Sequence, residues 1–199
     1  HNRIDISACM RDRKILLINL AKRSIGEENA NMLGALFMTN IRTAGIGRAH
    51  PPDPPRQDFY LYVDEFSGLV TPSFIELFSE ARGYGINLTV AQLYTGQLSP
   101  ESFAAILGNV ATIIVFRVGG EDAEKLEAEL TPVFKAKDMM NLGAKEFYIK
   151  ETINGETFDP FSAETLAVLR APHPSYREEI IGQSRTKYAV KMADGEDEK

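Results

Sequence analysis

Two adjacent carboxylates close the most informative stretch of this sequence, Phe59-Tyr-Leu-Tyr-Val-Asp-Glu-Phe66. The apolar and aromatic run before them suits a buried strand. In an open parallel sheet, ligands gather beyond the carboxyl ends of such strands. A strand ending at Val63 would present Asp64 and Glu65 at that edge. One carboxylate there can help hold Mg²⁺, through water because this ion gives up its waters reluctantly. The other can orient a water toward the terminal phosphate of a nucleoside triphosphate. The same pair would also suit a local task, capping a helix or ordering the loop behind the strand.

Phosphate chemistry of this kind also needs a cradle. A Gly-x-x-x-x-Gly-Lys-Ser/Thr loop provides one, with backbone amides around the phosphates and a lysine against their charge. No glycine of this chain opens such a loop. Gly26 is followed by Glu-Glu-Asn and Gly34 by Ala-Leu-Phe, while Gly119-Gly120 runs into Glu121-Asp122, the wrong charge for phosphate. Alone, the chain is therefore expected not to turn over nucleotide.

The elements that must position the acid pair are legible from periodicity and punctuation. Lys14-Ile-Leu-Leu-Ile-Asn-Leu20 reads as a strand buried on both faces, followed by a helix carrying Ala30, Leu33, Phe37, Ile41 and Ala44 and stopped by Gly45 and Gly47. After the acid strand, Thr71-Pro72 marks a helix start, Phe74, Leu77, Phe78 and Ala81 form its apolar face, and Gly83 and Gly85 end it. Ile86–Ala91 is a third strand, Ser99-Pro100 opens another helix, and Ala111–Phe116 is a fourth strand with a helix behind it at Ala123, Leu126 and Leu130. This alternation predicts an α/β fold, a mainly parallel sheet flanked by helices. Beyond Thr131 the pattern changes. Glu146–Lys150 leads to Asn154-Gly155, a two-residue hairpin signal, and residues 176–188 suit a last helix.

Bulk composition narrows the class. Apolar residues make up 44% and charged residues 25%, ordinary for a globular chain, and the apolar runs are far shorter than the roughly 20 residues that a membrane helix needs. The net charge of −6 excludes nucleic-acid binding by bulk charge, so such contacts must come from a few local residues. Arg42, Arg48 and Arg56, near the proline-rich segment 51–55, are the candidates. The acidic stretch 191–199 reads as a disordered tail, and His50 as solvated. The single Cys9 forms no internal disulfide, which suits a cytoplasmic location.

Several segments in order resemble one family. They are residues 14–22, Ile25-Gly26, Leu33-Gly34, Tyr60–Phe66, Ala81-Arg-Gly-Tyr-Gly-Ile86, Leu107-Gly-Asn-Val110, Val115-Phe-Arg-Val118, Glu121-Asp-Ala123 and Ser184–Tyr188. Together they resemble the FtsK–HerA group of DNA-pumping P-loop ATPases, and within it the conjugative coupling proteins of type IV secretion, the TraG/TraD type. The likeness runs from about residue 5 to 190. It implies that residues 1–190 are the C-terminal part of a RecA-like motor domain, with the phosphate-binding loop upstream of this chain. It makes Asp64 the Walker B acid, which holds Mg²⁺ through water, and Glu65 the catalytic glutamate. Arg82 falls where the group places an arginine finger that reaches a neighbouring subunit's nucleotide, and Arg117 is the weaker candidate for that task. The group's sensor glutamine would fall at Leu93. Gln92 lies one residue earlier, where a strand would turn it to the other face, so Gln92, Gln97 or neither fills the role.

The same resemblance implies ATP and Mg²⁺ in the parent protein, DNA as its cargo, neighbouring subunits of a ring, and relaxosome or secretion-channel proteins as partners. It implies a parent attached to the bacterial inner membrane through segments outside this chain. A missing strand and loop should leave a sheet edge and apolar surface exposed. Two other readings remain open on the residues. One is a non-enzymatic partner-docking module, which needs no phosphate loop. The other is a metal-dependent hydrolase built on Asp64 and Glu65, which would need further ligands and has no histidine nearby in sequence.

Overall fold

The computed structural model describes residues 4–49, 57–168 and 174–189. Residues 6–165 form one compact unit. Its elements in order are α1 (Ile6–Arg11), α2 (Lys22–Ile25), α3 (Glu27–Ile46), β1 (Phe59–Asp64), α4 (Pro72–Tyr84), β2 (Ile86–Ala91), α5 (Pro100–Leu107), β3 (Thr112–Val115), α6 (Gly120–Leu130), α7 (Ala136–Met140), β4 (Glu146–Ile153), β5 (Glu156–Thr157) and β6 (Phe161–Glu164). Short 3-10 turns cover Phe66–Leu69 and Thr95–Gln97. The second unit draws on the two chain ends, and its described helix is α8 (Arg177–Tyr188).

Helix starts follow the expected chemistry. The Thr71 hydroxyl accepts the Phe74 N–H at 3.2 Å, and the Ser99 hydroxyl accepts the Ser102 N–H at 3.2 Å, each with proline at the first helical position. Gly85 ends α4 at φ 64°, a left-handed turn that only glycine adopts freely. Asn154 and Gly155 both have positive φ, which a two-residue hairpin between β4 and β5 requires.

The parallel sheet is the pair β1–β2, in register from Phe59 opposite Ile86 to Asp64 opposite Ala91. Helices α3 and α4 pack together, and α4 packs on β2. Phe74, Leu77, Ala81, Ile86, Ala30, Met38 and Ile41 make the core there. Alternation along β1 sends Phe59, Leu61 and Val63 inward and leaves Tyr60 (61% exposed) and Tyr62 (72%) on an uncovered face. The exposed apolar surface expected from the sequence is therefore present on β1.

Parallel pairing stops at this pair. β3 pairs antiparallel with β4, and β4 pairs antiparallel with β5 and β6. These strands carry a second core of Val115, Ala123, Leu126, Leu130 and Met139, where Phe134 stacks on Tyr148 with ring centroids 3.7 Å apart. β4 returns beside β3 in the opposite direction after α6 and α7, and the Asn154-Gly155 turn reverses the chain again into β5, so this half of the α/β fold is antiparallel.

Two expectations change. The run 14–20 is not a strand. Ile15 is 90% and Leu17 78% exposed, because the run joins no ladder that would bury both its faces. Of the two expected stops of the following helix, Gly47 is its C-cap but Gly45 is not. α3 runs on to Ile46, with Gly45 buried where a Cβ would stand 2.9 Å from the Tyr84 ring, so the glycine serves close packing against α4. Four elements had no sequence signal strong enough to mark them: α1, α2, α7 and β6. Residues 190–199, His50, 51–55 and Arg56 lie outside the described residues.

Candidate functional site

Strand β1 delivers Asp64 as its last residue and Glu65 as the first beyond it. Glu65 adopts a left-handed backbone, φ 49° and ψ 51°, a disfavoured state for a residue with a Cβ. Two features hold the turn. The Asp64 carboxylate accepts the Glu65 N–H at 3.0 Å. Phe66 is buried against the ring of Phe74, 5.8 Å between centroids. Asp64 thus performs the loop-ordering task that its sequence context allowed, while the Glu65 side chain stays half-exposed.

The acid pair opens onto a cleft of about 650 Å³. One wall is residues 61–65, another is residues 18–24, and the floor is α3 at Gly34, Phe37, Met38 and Ile41. Lys22 stands across from the acids, its Nζ 3.6 Å from Glu65 Oε2. Ala21 before it is also left-handed, at φ 43°, with its N–H held by Asn19 Oδ1 at 3.0 Å. The last residues of the run that forms no strand, Ile18, Asn19 and Leu20, therefore belong to a cleft wall.

A hydrogen-bonded group ties the acid turn to the end of β2. The Ser67 N–H donates to Gln92 Oε1 at 3.0 Å, and the Ser67 hydroxyl donates to Gln97 Oε1 at 2.9 Å. Gln92 Nε2 also donates to Gln97 Oε1, and Gln97 Nε2 donates to the Tyr94 hydroxyl at 2.8 Å. β2 ends at Ala91, so the strand-face parity that weighed against Gln92 does not apply to it. Both glutamines converge two residues beyond Glu65.

Thr95 continues this group toward the other sheet. Its N–H and hydroxyl both meet Asp122 Oδ1, at 3.0 and 2.5 Å. Asp122 is 8% exposed, the one buried charged residue among those described. The 3-10 turn after β2 and the first turn of α6 meet at this contact. In the sequence Asp122 stood out as unsuited to phosphate and as part of the resembling segment Glu121-Asp-Ala123. A carboxylate in the first turn of a helix, next to an apolar face, was the signal for an anchor.

The arginines separate. Arg82 is exposed in the last turn of α4, four residues before β2 begins, and so lies at the opposite sheet edge from Asp64. It makes no side-chain ion pair or hydrogen bond with the described residues. Arg117 is exposed just past the end of β3. Arg42 is no candidate for DNA contact. It forks onto Glu80 at 2.9 and 3.2 Å and reaches Glu76 at 3.0 Å, clamping α3 to α4. The Tyr84 hydroxyl donates to Glu80 at 2.8 Å. The Arg42 guanidinium, and then Tyr84, hold the Glu80 carboxyl below its usual value, and burial first, then Glu80, pushes Tyr84 up. Arg48 donates to the Gln57 carbonyl.

The donor set suits one cation in particular. Among the described residues no group of three or more His, Cys, Asp or Glu could enclose a metal. An all-protein cage is thus lacking among the described residues. Mg²⁺ does not require such a cage: one or two carboxylates with substrate phosphates and water suffice. Asp64 and Glu65 fit that mode.

No protein-family model matches the sequence, and no curated protein matches it. Solved structures do. The unbound bacterial conjugative coupling protein TrwBdeltaN70 superposes with TM-score 0.62 at 15% identity, over 75% of this chain and 41% of that one. The plasmid coupling protein TrwB with ADP and Mg²⁺ gives 0.58 at 14% identity, over 69% and 37%. The genome packaging NTPase B204 of Sulfolobus turreted icosahedral virus 2, with ATP-gammaS, gives 0.54 at 14% identity, over 84% and 74%. The chain shares the fold of these coupling-protein and packaging-NTPase structures. It spans about two fifths of the coupling protein's length. Among the described residues no helix is long and apolar enough to cross a membrane.

Proposed function

We propose that this chain is the acidic half of a DNA-translocating ATPase motor domain, similar to the conjugative and type IV secretion coupling proteins. The observation that carries the reading is the placement of Asp64 and Glu65 at the carboxyl edge of a parallel strand pair, open to a cleft, in a fold shared with nucleotide-bound motors. Asp64 and Glu65 would hold Mg²⁺ together with the phosphates of ATP, and the cation would offset the charge of the transferring phosphoryl group. The remaining roles fall to this chain's own residues. Glu65 orients a water, and its left-handed turn holds it at the rim of the strand. Gln92 and Gln97, bonded to Ser67, serve as the sensor that couples the acid turn to the 3-10 turn after β2 and the first turn of α6. Arg82 reaches the nucleotide of a neighbouring subunit in a ring, where a guanidinium offsets growing negative charge. Arg117 is the alternative for that task.

The phosphate cradle comes from a segment outside this chain, so the chain alone is inactive. DNA contacts and partner proteins of the transfer apparatus belong to the whole protein. That whole protein works at the cytoplasmic side of the inner membrane, held there by its other segments. Calorimetry with Mg·ATP tests the reading, on this chain and on a form extended upstream by about one domain. Binding by the extended form alone, weakened by Asp64→Asn, is the expected result. Binding by neither form would overturn the nucleotide site. The uncovered Tyr60 and Tyr62 face of β1 would then favour a partner-docking module.

A further inference from the structure

We infer that Lys22 is a positioning residue for Glu65: it holds that carboxylate while the cleft has no cation, and it yields the carboxylate to a divalent cation. The inference rests on the reading of Asp64 and Glu65 as the acid pair of a nucleotide site.

The contact is set by backbone on both sides. Ala21 and Glu65 are both left-handed non-glycine residues, and they bracket the approach of the Lys22 ammonium to the Glu65 carboxylate. A left-handed residue on each wall is a specific geometry, since chains with a Cβ avoid it. Helix α2, which begins at Lys22, packs on α3, so the stem of the lysine has a fixed base. The two carboxylates differ in their engagements. Asp64 is occupied by the Glu65 N–H, whereas Glu65 takes Lys22.

The pair is loose in the way that an exchangeable partner must be. At 3.6 Å it is an ion pair beyond hydrogen-bond length, and both side chains are partly exposed. Lysine carries its charge on a flexible four-carbon stem and can swing aside without disturbing the backbone. A positive charge beside a cation site also opposes the incoming cation. Lys22 therefore does two things. It keeps Glu65 at the cleft wall when the site is empty, and it raises the cation concentration at which Glu65 is recruited.

Titration with Mn²⁺ of the form extended upstream, with ADP bound, tests this, with electron paramagnetic resonance counting free ion and paramagnetic broadening locating bound ion. Lys22→Met is expected to tighten Mn²⁺ binding about three- to fivefold, the range for a partly exposed charge, and the gain should shrink as salt rises. Lys22→Arg keeps the charge and should match the unaltered chain. Asp64→Asn should abolish broadening of residues 61–69. If Lys22→Met binds no tighter while Asp64→Asn still weakens binding, the role of Lys22 is overturned and the acid pair stands. If Mn²⁺ fails to bind, or binds regardless of Asp64→Asn and Glu65→Gln, the acid-pair reading falls and this inference falls with it.

Discussion

Replacing Arg82 with alanine separates an arginine that serves its own subunit from one that serves a neighbour. The sheet register sets the geometry. Phe59 lies opposite Ile86 and Asp64 opposite Ala91, and Arg82 precedes Ile86 by four residues. Arg82 therefore stands at the amino edge of β2, and the acid pair at the carboxyl edge of β1. The five residue steps between those edges span about 16 Å, farther than an extended arginine reaches. Arg82 cannot reach the acid pair of its own chain, so the proposed finger role requires a neighbouring subunit. An arginine finger is worth about 10³-fold or more in turnover, or about 4 kcal/mol at 1.36 kcal/mol per tenfold. Stability should change by less than about 0.5 kcal/mol, because the side chain is exposed and makes no ion pair with the described residues.

The assay is steady-state ATP hydrolysis by the form extended upstream, as Arg82→Ala, as Glu65→Gln, and as an equal mixture of the two. Each single variant should be nearly inactive. In a mixed head-to-tail ring, about a quarter of the interfaces combine an intact Glu65 with an intact Arg82 from the next subunit. The mixture should recover about that fraction of the normal rate. No recovery would refute the argument from the register, because residues that work within one subunit cannot complement in this way. Full activity in the Arg82→Ala form alone would move the role to Arg117.

Three further outcomes follow from the packing and the polar contacts. Leu77→Ala empties a fully buried position between α4 and the sheet, and chemical denaturation should show a loss of about 2–5 kcal/mol. Asp122→Ala leaves the Thr95 N–H and hydroxyl without their acceptor and should cost about 1–3 kcal/mol, with faster amide exchange over residues 92–97. Glu80 has its folded pKa depressed by Arg42 and Tyr84, so its contribution is complete above the ordinary carboxylate value of 4.5 and is lost as pH falls through the lower folded value. Melting temperatures recorded down through that window should show the gap between the native chain and Glu80→Gln closing at acid pH. A gap independent of pH would mean that the Arg42 clamp does not depend on charge.

Much of the site was readable because its signals are local. A strand of apolar residues ending in two acids needs only alternation and an edge, and Asp64 and Glu65 fall at the carboxyl edge of β1. Thr71-Pro72, Ser99-Pro100 and Asn154-Gly155 act through bonds and dihedrals within a few residues, so their caps and turn form wherever the rest of the chain goes. The run 14–20 misled for a related reason. Apolar residues in succession signal burial, but burial as a strand requires a neighbour to hydrogen-bond, and the run itself holds no information about that neighbour.

By itself the sequence determined the α/β class, the acid pair, the helix starts and the lack of a phosphate loop within these residues, all properties of short stretches and their order. Only the tertiary structure decided that Arg42 is a clamp between two helices rather than a free cation, that Gln92 and Gln97 share one hydroxyl and one amide of Ser67, and that Asp122 anchors Thr95. It alone set Lys22 against Glu65, 43 positions apart in the chain, and Arg82 at the far edge from both acids. Those facts depend on which loops the sheet register brings together, and side-chain type carries no record of that.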